Sequence, residues 1–346
     1  MTIHKEMSDL MPGPDQDYES GPELLSLIMA YSISTAVRAA AQLELADLLK
    51  QGPKTIEALA TASRTQPIHL QRILRVLCAH RVFREQPANT YQLDKLGWSL
   101  CSDSPTRLKE AALMLTDPAF FHCAGDLSQA AAGIPIFRER FGHGFFEHWE
   151  DKSIHDIFHQ GVAGLSRASN VFLINQIDIP DGATVVDVGG GIGGLLLLIL
   201  QKFPTASGVL FDQAQVLANS VLPSLNQPER WQLLEGDFFQ RCPAGDIYLL
   251  QMILHDWSDE QGVTILRNCK QAMPDNGRIL VLESVIEPDN QASEGKLLDL
   301  VTMCVLEDSR ERTLAEFEAM FERAGLRLLR RIEAGGIASI LELGHQ

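Results

Sequence analysis

The spacing of apolar residues divides this 346-residue chain into a helical first half and a second half of alternating strands and helices. Seven short segments are predicted to be strands, at 184–188, 207–211, 231–235, 246–251, 278–284, 326–332 and 338–343. Helical patterns separate the first five runs, which is typical of a mostly parallel, doubly wound α/β sheet. The last two runs follow a helix predicted at 313–324 and are candidates for an antiparallel edge. In such sheets the ligand lies at the carboxyl ends of the strands.

The first half is predicted to be mostly helical. Residues 22–50 have apolar positions on more than one helical face and therefore need packing partners. Residues 55–62 and 67–80 predict a helix-turn-helix, and 82–84 with 90–93 predict a two-stranded wing. This winged helix carries five arginines and is a candidate either for DNA binding or for a dimerisation scaffold: Arg64, Arg72, Arg75, Arg81 and Arg84.

Charge and cysteine content narrow these alternatives. The net charge of −16 disfavours nucleic acid and anionic membranes as partners, and it favours the scaffold over the DNA-binding regulator. The six cysteines are scattered without a C-x-x-C pair, which argues against a zinc site or a disulfide framework. No signal-type segment and no run of eighteen apolar residues is present. We therefore expect a soluble cytoplasmic protein that does not bind membranes.

Four regions are predicted along the chain. Residues 1–20 are polar and form a mobile arm, 21–104 the winged-helix domain, 105–180 a helical linker, and 181–346 the α/β domain. The linker is rich in histidine, and His155 and His159 have the i, i+4 spacing of some metal sites. These two histidines alternate with Ile154, Ile157 and Phe158, so we expect packing or solvent-facing roles and no metal.

Glycines after the first predicted strand indicate a ligand site. Gly189, Gly190, Gly191 and Gly193 follow the run 184–188 and precede an apolar helix. Glycines allow a nucleotide-like group to approach the main chain, and the new helix offers unpaired N–H groups. A purely structural turn is the alternative, because a glycine-rich motif alone is weakly specific.

Polar residues follow the next strands at the same edge of the predicted sheet. Asp212 ends the second strand, where a carboxylate can accept both hydroxyls of a ribose. Residues 236–239, Gly-Asp-Phe-Phe, end the third and suit an adenine ring. A nicotinamide dehydrogenase would share the glycine turn and Asp212. It would leave unexplained the segment His255-Asp-Trp-Ser-Asp-Glu260 after the fourth strand.

These motifs, with Arg-Glu-Arg-Thr at 310–313, together resemble the S-adenosylmethionine-dependent small-molecule O-methyltransferases. The family includes the plant caffeic acid and acetylserotonin enzymes and bacterial natural-product relatives. The resemblance extends over nearly the whole chain. It implies a Rossmann-like methyltransferase sheet, an N-terminal winged-helix dimerisation domain, a helical cover of the substrate pocket at 105–180, and an intertwined homodimer. The implied cofactor is S-adenosylmethionine, without a metal.

The resemblance also implies roles for individual residues. His255 corresponds to the general base, and Glu283 and Glu311 are the flanking carboxylates, each able to accept an imidazole N–H. Seven positions correspond to cofactor contacts: Gly189, Gly191, Asp212, Gly236, Asp237, Phe238 and Gln251. Gln251 replaces a lysine that is usual in the family, which removes a positive charge but keeps a hydrogen-bonding group.

The substrate contacts depart from the plant pattern. Val162 and Thr302 occupy positions where methionine is common, which suggests an acceptor of different shape from the plant phenylpropanoids. Seven residues are candidates for lining the pocket: Phe145, Phe158, Val162, Phe172, Met252, Thr302 and Met303. We expect methyl transfer to a phenolic or enolic hydroxyl of a small aromatic metabolite. An N-methyltransferase and a non-methylating relative of the same fold remain as alternatives.

Overall fold

The computed structural model describes residues 20–106, 108–149, 155–335 and 337–346. The arm predicted at 1–20 lies outside these residues except for Ser20, and so does the side chain of His155. Internal contacts divide the chain at Trp98 into two compact units. The boundaries predicted at 104 and 180 remain predictions.

The N-terminal unit combines helices with a small antiparallel sheet. Its helices are α1 Ser20–Ile28, α2 Tyr31–Gln42, α3 Leu45–Leu49, α4 Ile56–Ala62 and α5 Pro67–Ala79. Its strands are β1 Lys54–Thr55, β2 Phe83–Gln86 and β3 Thr90–Leu93, in the order β1-β3-β2. Helices α4 and α5 and strands β2 and β3 lie where the sequence predicts helices and strands, and the assignment of a winged helix stays a prediction. The Thr55 side chain accepts the Ala58 N–H and Pro67 occupies the first turn of α5, which explains where α4 and α5 begin.

Two features of this unit were not predicted. The two-residue strand β1 is too short to show periodicity. The helical stretch 22–50 is divided into three helices, and Glu44 between α2 and α3 has a left-handed φ of 53°. Glycine and asparagine are the residues that usually adopt such a conformation. A glutamate at this position therefore does not indicate in the sequence that the helix ends between α2 and α3.

The first two helices expose apolar side chains. Leu24, Leu25, Leu27, Ile28 and Tyr31 are all exposed, Leu27 by 73 %. By length and composition the stretch Gly21–Gln42 would also suffice to cross a membrane. A helix with an uncovered apolar face requires a partner surface, since contiguous exposed apolar patches mark interaction sites.

The C-terminal unit contains eleven further helices and nine strands among its described residues. The helices are α6 Leu108–Leu115, α7 Pro118–Ala124, α8 Leu127–Ala130, α9 Ile136–Phe141, α10 Phe145–His148, α11 His155–Gln176, α12 Gly194–Lys202, α13 Ala214–Leu217, α14 Asp259–Ala272, α15 Glu294–Val305 and α16 Leu314–Arg323. The strands are β4 Thr184–Val188, β5 Ser207–Asp212, β6 Trp231–Glu235, β7 Ile247–Gln251, β8 Arg278–Glu283, β9 Val285–Ile286, β10 Arg312–Thr313, β11 Leu326–Glu333 and β12 Ser339–His345.

Seven of these strands form one mixed sheet in the order β11-β12-β8-β7-β4-β5-β6. Strands β4 to β8 are parallel, whereas β12 runs antiparallel to both β8 and β11. The seven predicted strands and the antiparallel edge are therefore confirmed, but the helix expected between β6 and β7 is absent, because residues 236–246 form turns and loop. The carboxyl ends of β4, β5, β6 and β7 lie at one edge, which brings the motifs that follow them to the same side of the sheet.

The sheet is buried on both faces. Along β4, Val186 and Val188 pack into the core beneath α14 and α16, whereas Val185 packs into the core beneath α11 and α12. Burial on both faces explains why the central strands β4, β7 and β8 have nearly continuous apolar runs rather than alternating patterns. A third core of aromatic residues joins α7, α9 and α10 to α15, and it includes Phe120, Phe137, Phe145 and Trp149.

Candidate active site

The glycine turn after β4 is a tight loop that side chains would block. Gly189, Gly191 and Gly193 have φ values of 64°, 60° and 83°, in the left-handed region that favours glycine. A Cβ on Gly190 would lie 2.4 Å from the Asp187 carboxyl carbon. No described atom lies within 4 Å of the Cβ position of Gly191, so this side of the loop is open to a ligand.

Asp212 lies directly beside this turn. Its Oδ2 accepts the Gly191 N–H at 2.8 Å, and its Oδ1 accepts the Gln213 N–H at 2.7 Å. Burial raises its pKa, against the effect of these two N–H donors. The carboxylate thus stabilises the loop, a contact that the sequence did not predict, and each oxygen keeps a second lone pair for a ligand hydroxyl.

The motif after β6 contacts the same turn. A Cβ on Gly236 would lie 2.2 Å from the Phe211 ring, so glycine is required there. A Cβ on Gly189 would lie 3.5 Å from the Phe238 ring and 2.7 Å from Ile253. Asp237 is exposed, and its Oδ1 accepts the Phe239 N–H at 2.8 Å. The predicted cofactor positions at the ends of three strands therefore lie around one loop.

His255 lies in a short 3-10 turn, Leu254–Asp256, just after β7. Its side chain is buried, with a residue exposure of 7 %. The Nδ1 atom is 2.6 Å from Glu311 Oε1, and the Nε2 atom is 3.2 Å from Asp256 Oδ1. The contact with Glu311 was predicted, whereas the contact with Asp256 was not.

Glu283 contacts backbone N–H groups and not the imidazole N–H that was expected. It is fully buried, and its Oε1 accepts the N–H groups of Ile253 and Leu254 at 2.9 and 2.7 Å. It therefore stabilises the backbone of the His255 turn instead of accepting an imidazole N–H. The second oxygens of Glu283 and Glu311 have no hydrogen-bond partner among the described residues.

Three carboxylates determine the charge of His255. Burial disfavours the imidazolium, but Asp256, Glu283 and Glu311 outweigh burial and raise the pKa of His255 to about 10. Burial also raises the pKa of Glu283 to about 7 and that of Asp256 to about 6. The imidazole is therefore a strong base whose protonated form predominates at neutral pH.

The segment that contains Glu311 supports the same turn. The Arg310 N–H donates to the His255 carbonyl at 3.0 Å. Arg312 is fully buried and donates to the carbonyls of Leu254 and Trp257 at 2.8 and 2.7 Å. Pairing of β10 with β9, directly after β8, brings this segment to the turn. The motif at 310–313 predicted a role for Glu311, but the hydrogen bonds made by Arg310 and Arg312 were not predicted.

Aromatic rings connect the His255 turn to the predicted pocket residues. Trp257 stacks on Phe146 with ring centroids 6.1 Å apart, and it meets Phe238 edge-on at 6.0 Å. Phe146 in turn contacts Phe145 and Phe158 at 5.4 and 6.5 Å. Two of the predicted pocket residues thus belong to an aromatic group that reaches both the His255 turn and Phe238. Phe146 and Trp257 also belong to this group, and their contribution was not predicted.

The other five pocket candidates have different surroundings. Met252 has a left-handed φ of 53° between Gln251 and Ile253. Thr302 is buried and donates to the Asp299 carbonyl, and Met303 packs against the aromatic core. Val162 and Phe172 are exposed, and the Phe172 ring lies 3.5 Å from the Cβ position of Gly335. Their contact with a substrate remains a prediction.

Two family models match most of this chain. Residues 122–327 match the model of the O-methyltransferase domain, and residues 25–103 match that of the O-methyltransferase dimerisation domain. Neither match favours a nicotinamide dehydrogenase or a DNA-binding regulator.

Individual relatives cover nearly the whole chain. Phenazine O-methyltransferase PhzM of Lysobacter antibioticus is 34 % identical over 92 % of this chain and 94 % of its own length. The 8-amino-8-demethylriboflavin N,N-dimethyltransferase of Streptomyces davaonensis is 31 % identical over 90 % of this chain and 91 % of its own.

A solved structure shows the same fold. CalO1, a methyltransferase in calicheamicin biosynthesis solved with bound SAH, superposes with a TM-score of 0.89 at 36 % identity, covering 96 % of this chain and all of that chain. From the family matches, the relatives and this fold, the chain belongs to the S-adenosylmethionine-dependent O-methyltransferases of natural-product biosynthesis that have an N-terminal dimerisation domain.

Proposed function

We propose that this enzyme methylates a phenolic or enolic hydroxyl of a small aromatic natural product, with His255 as the general base. The observation that carries the proposal is the buried His255–Glu311 pair at the end of β7, next to the glycine turn. The aromatic group that extends from Trp257 to Phe145 and Phe158 supports a flat aromatic acceptor. The phenazine acceptor named for the relative PhzM is of this chemical class.

The residues around the glycine turn fit S-adenosylmethionine. The loop is open at Gly191, Asp212 and Asp237 offer carboxylates to hydroxyl and amino groups, and Phe238 offers a ring face. When bound, the cofactor supplies an electrophilic methyl group on a sulfonium. The protein holds the acceptor in line, excludes water and removes a proton.

The proton step follows from the pKa of His255. A phenol has a pKa near 10, and the carboxylates around His255 raise its pKa well above the usual value near 6.5, so the free-energy gap for proton transfer between the two groups becomes smaller. For this step the acceptor hydroxyl must replace Asp256 at Nε2, while Glu311 keeps Nδ1 protonated and stabilises the resulting imidazolium.

Transfer of a labelled methyl group tests the proposal. The purified enzyme is incubated with labelled S-adenosylmethionine and a panel of phenols, phenazines, quinones and aromatic amines. We expect labelled methoxy products, identified by NMR, from at least one hydroxylated aromatic. N-methyl products alone would favour the second candidate, an N-methyltransferase, which the 31 % identical N,N-dimethyltransferase supports. Cofactor binding without any transfer would favour a non-methylating relative.

The reaction is expected to speed up as the pH rises from 7 to 9. Only the neutral imidazole can accept a proton, and with a pKa of about 10 its fraction grows about tenfold per pH unit in this range. Glu311→Gln removes one of the negative charges that raise this pKa, so the midpoint of the pH–rate profile should fall by about 1 to 3 units. Steady-state rates at saturating cofactor measure the shift. An unchanged midpoint in the variant would show that another group controls the profile.

Removal of metal ions is expected to leave the rate unchanged. His255, Glu283 and Glu311 have donor atoms within 4.8 Å of one another, so a divalent cation is a competing occupant of this cluster. The proposed chemistry needs no Lewis acid. Rates measured before and after dialysis against EDTA test this, and a loss that Mg²⁺ or Zn²⁺ restores would contradict the metal-free mechanism.

We also propose that the enzyme is a cytoplasmic homodimer that buries the exposed apolar side chains of α1. Leu27→Asp is expected to shift dimers towards monomers, because a charge in an apolar interface is costly to bury. Sedimentation velocity measures the shift, and Leu329→Asp, at an exposed position on β11, is the matched control. A monomeric wild type that floats with lipid vesicles would contradict the proposal and favour membrane binding by residues 21–42.

A further inference from the structure

Two amide side chains form a pair next to the glycine turn. Gln251, at the end of β7, donates its Nε2–H to the Oδ1 atom of Asn170 on α11 at 2.7 Å. Asn170 is only 1 % exposed. Its Nδ2 group is buried and has no hydrogen-bond partner among the residues that the structure describes.

The unpartnered N–H of Asn170 faces the start of α12. The Cβ position of Gly194, the first residue of this nine-residue helix, lies 4.0 Å from Asn170 Nδ2. Gly194 directly follows the glycine turn. A buried N–H without an acceptor is unfavourable, so this position is expected to receive an acceptor from a ligand.

The surroundings favour an anionic acceptor. The first N–H groups of a helix have no partner within the helix, and the helix dipole favours negative charge at this end. S-adenosylmethionine has one anionic group, the carboxylate of its methionyl part. The acidic side chains Asp212 and Asp237 suit the hydroxyl and amino groups of the adenosine part and would repel that carboxylate.

We infer that Asn170 donates its Nδ2–H to the methionyl carboxylate of the cofactor, and that Gln251 holds the Asn170 amide in the orientation this requires. This inference rests on the proposed function. It gives Gln251 a positioning role in place of the charged contact that the family lysine would provide. Recognition of the carboxylate then depends on neutral donors and the start of α12.

Calorimetric binding of two ligands tests this assignment. S-adenosylhomocysteine has the amino acid carboxylate, whereas 5′-methylthioadenosine has the adenosine and thioether parts but lacks it. Asn170→Ala is expected to weaken S-adenosylhomocysteine binding by about tenfold or more and to leave 5′-methylthioadenosine binding unchanged. Asn170→Asp should weaken S-adenosylhomocysteine further, because two carboxylates would then face each other. Asn175→Ala, at an exposed position on the same helix, is the matched control and should change neither affinity.

Several outcomes would overturn the assignment. Equal losses for both ligands in Asn170→Ala would mean that the side chain only maintains the fold of the site. Unchanged affinity would show that the carboxylate binds elsewhere. Tighter binding in Asn170→Asp would indicate contact with the ammonium group of the cofactor instead. A wild-type protein that does not bind S-adenosylhomocysteine would contradict the proposed function itself.

Discussion

Replacing His255 by alanine is expected to lower kcat for methyl transfer by about 10²- to 10⁴-fold, the usual contribution of a positioned general base. The imidazole removes the hydroxyl proton, and its cation is stabilised by Glu311 at 2.6 Å. The cofactor positions lie around the glycine turn and do not include His255, so the affinity for S-adenosylhomocysteine should change little. Initial rates with a saturating acceptor and calorimetric binding measure the two quantities.

The comparison with a second histidine separates catalysis from general damage. His345 lies at the end of β12, where its Nε2 is 3.2 Å from the Pro274 carbonyl. His345→Ala should keep the wild-type rate. If His255→Ala also keeps most of its activity, or loses activity and cofactor affinity together, His255 is not the base. The role of the His255–Glu311 contact would then be structural.

The fold of the C-terminal unit could be predicted because its central strands β4, β7 and β8 are mostly apolar and buried. Buried runs such as 184–188 and 278–283 are bounded by glycine or polar turns, so their limits are visible in the sequence. The pair of β9 and β10 was not predicted, because two residues show no period. Its formation depends on the close approach of segments that are more than twenty residues apart.

The candidate site could be predicted in part. Asp212 and His255 could be predicted because residues at the carboxyl ends of parallel strands meet at one edge of the sheet. Glu311 could be predicted from the family motif at 310–313. The partner of each side chain depends on tertiary geometry. Glu283 contacts backbone N–H groups rather than the imidazole because its oxygen lies next to Ile253 and Leu254. The Asn170–Gln251 pair joins residues 81 positions apart and has no local signal.

Arg312 shows how the site depends on a residue that does not touch the reacting atoms. Its guanidinium is fully buried, donates to the carbonyls of Leu254 and Trp257, and pairs with Asp259 at 2.8 Å. These two carbonyls flank His255 in the chain. A buried guanidinium is retained at a cost in desolvation, so the hydrogen bonds that it makes must largely offset that cost.

Arg312→Met is expected to lower the free energy of unfolding by about 3–5 kcal/mol, because two carbonyls lose their donor and Asp259 loses a partner. Arg310→Met is the matched control: Arg310 pairs with the same Asp259, but its side chain is 41 % exposed, so its loss should cost about 1 kcal/mol or less. Urea unfolding measures both values. Only Arg312→Met removes the hydrogen bonds to the carbonyls on either side of His255. We therefore expect kcat to fall in that variant even under conditions in which the protein remains folded. Equal destabilisation by the two substitutions would contradict this account and assign the stabilising effect to the shared pairing with Asp259.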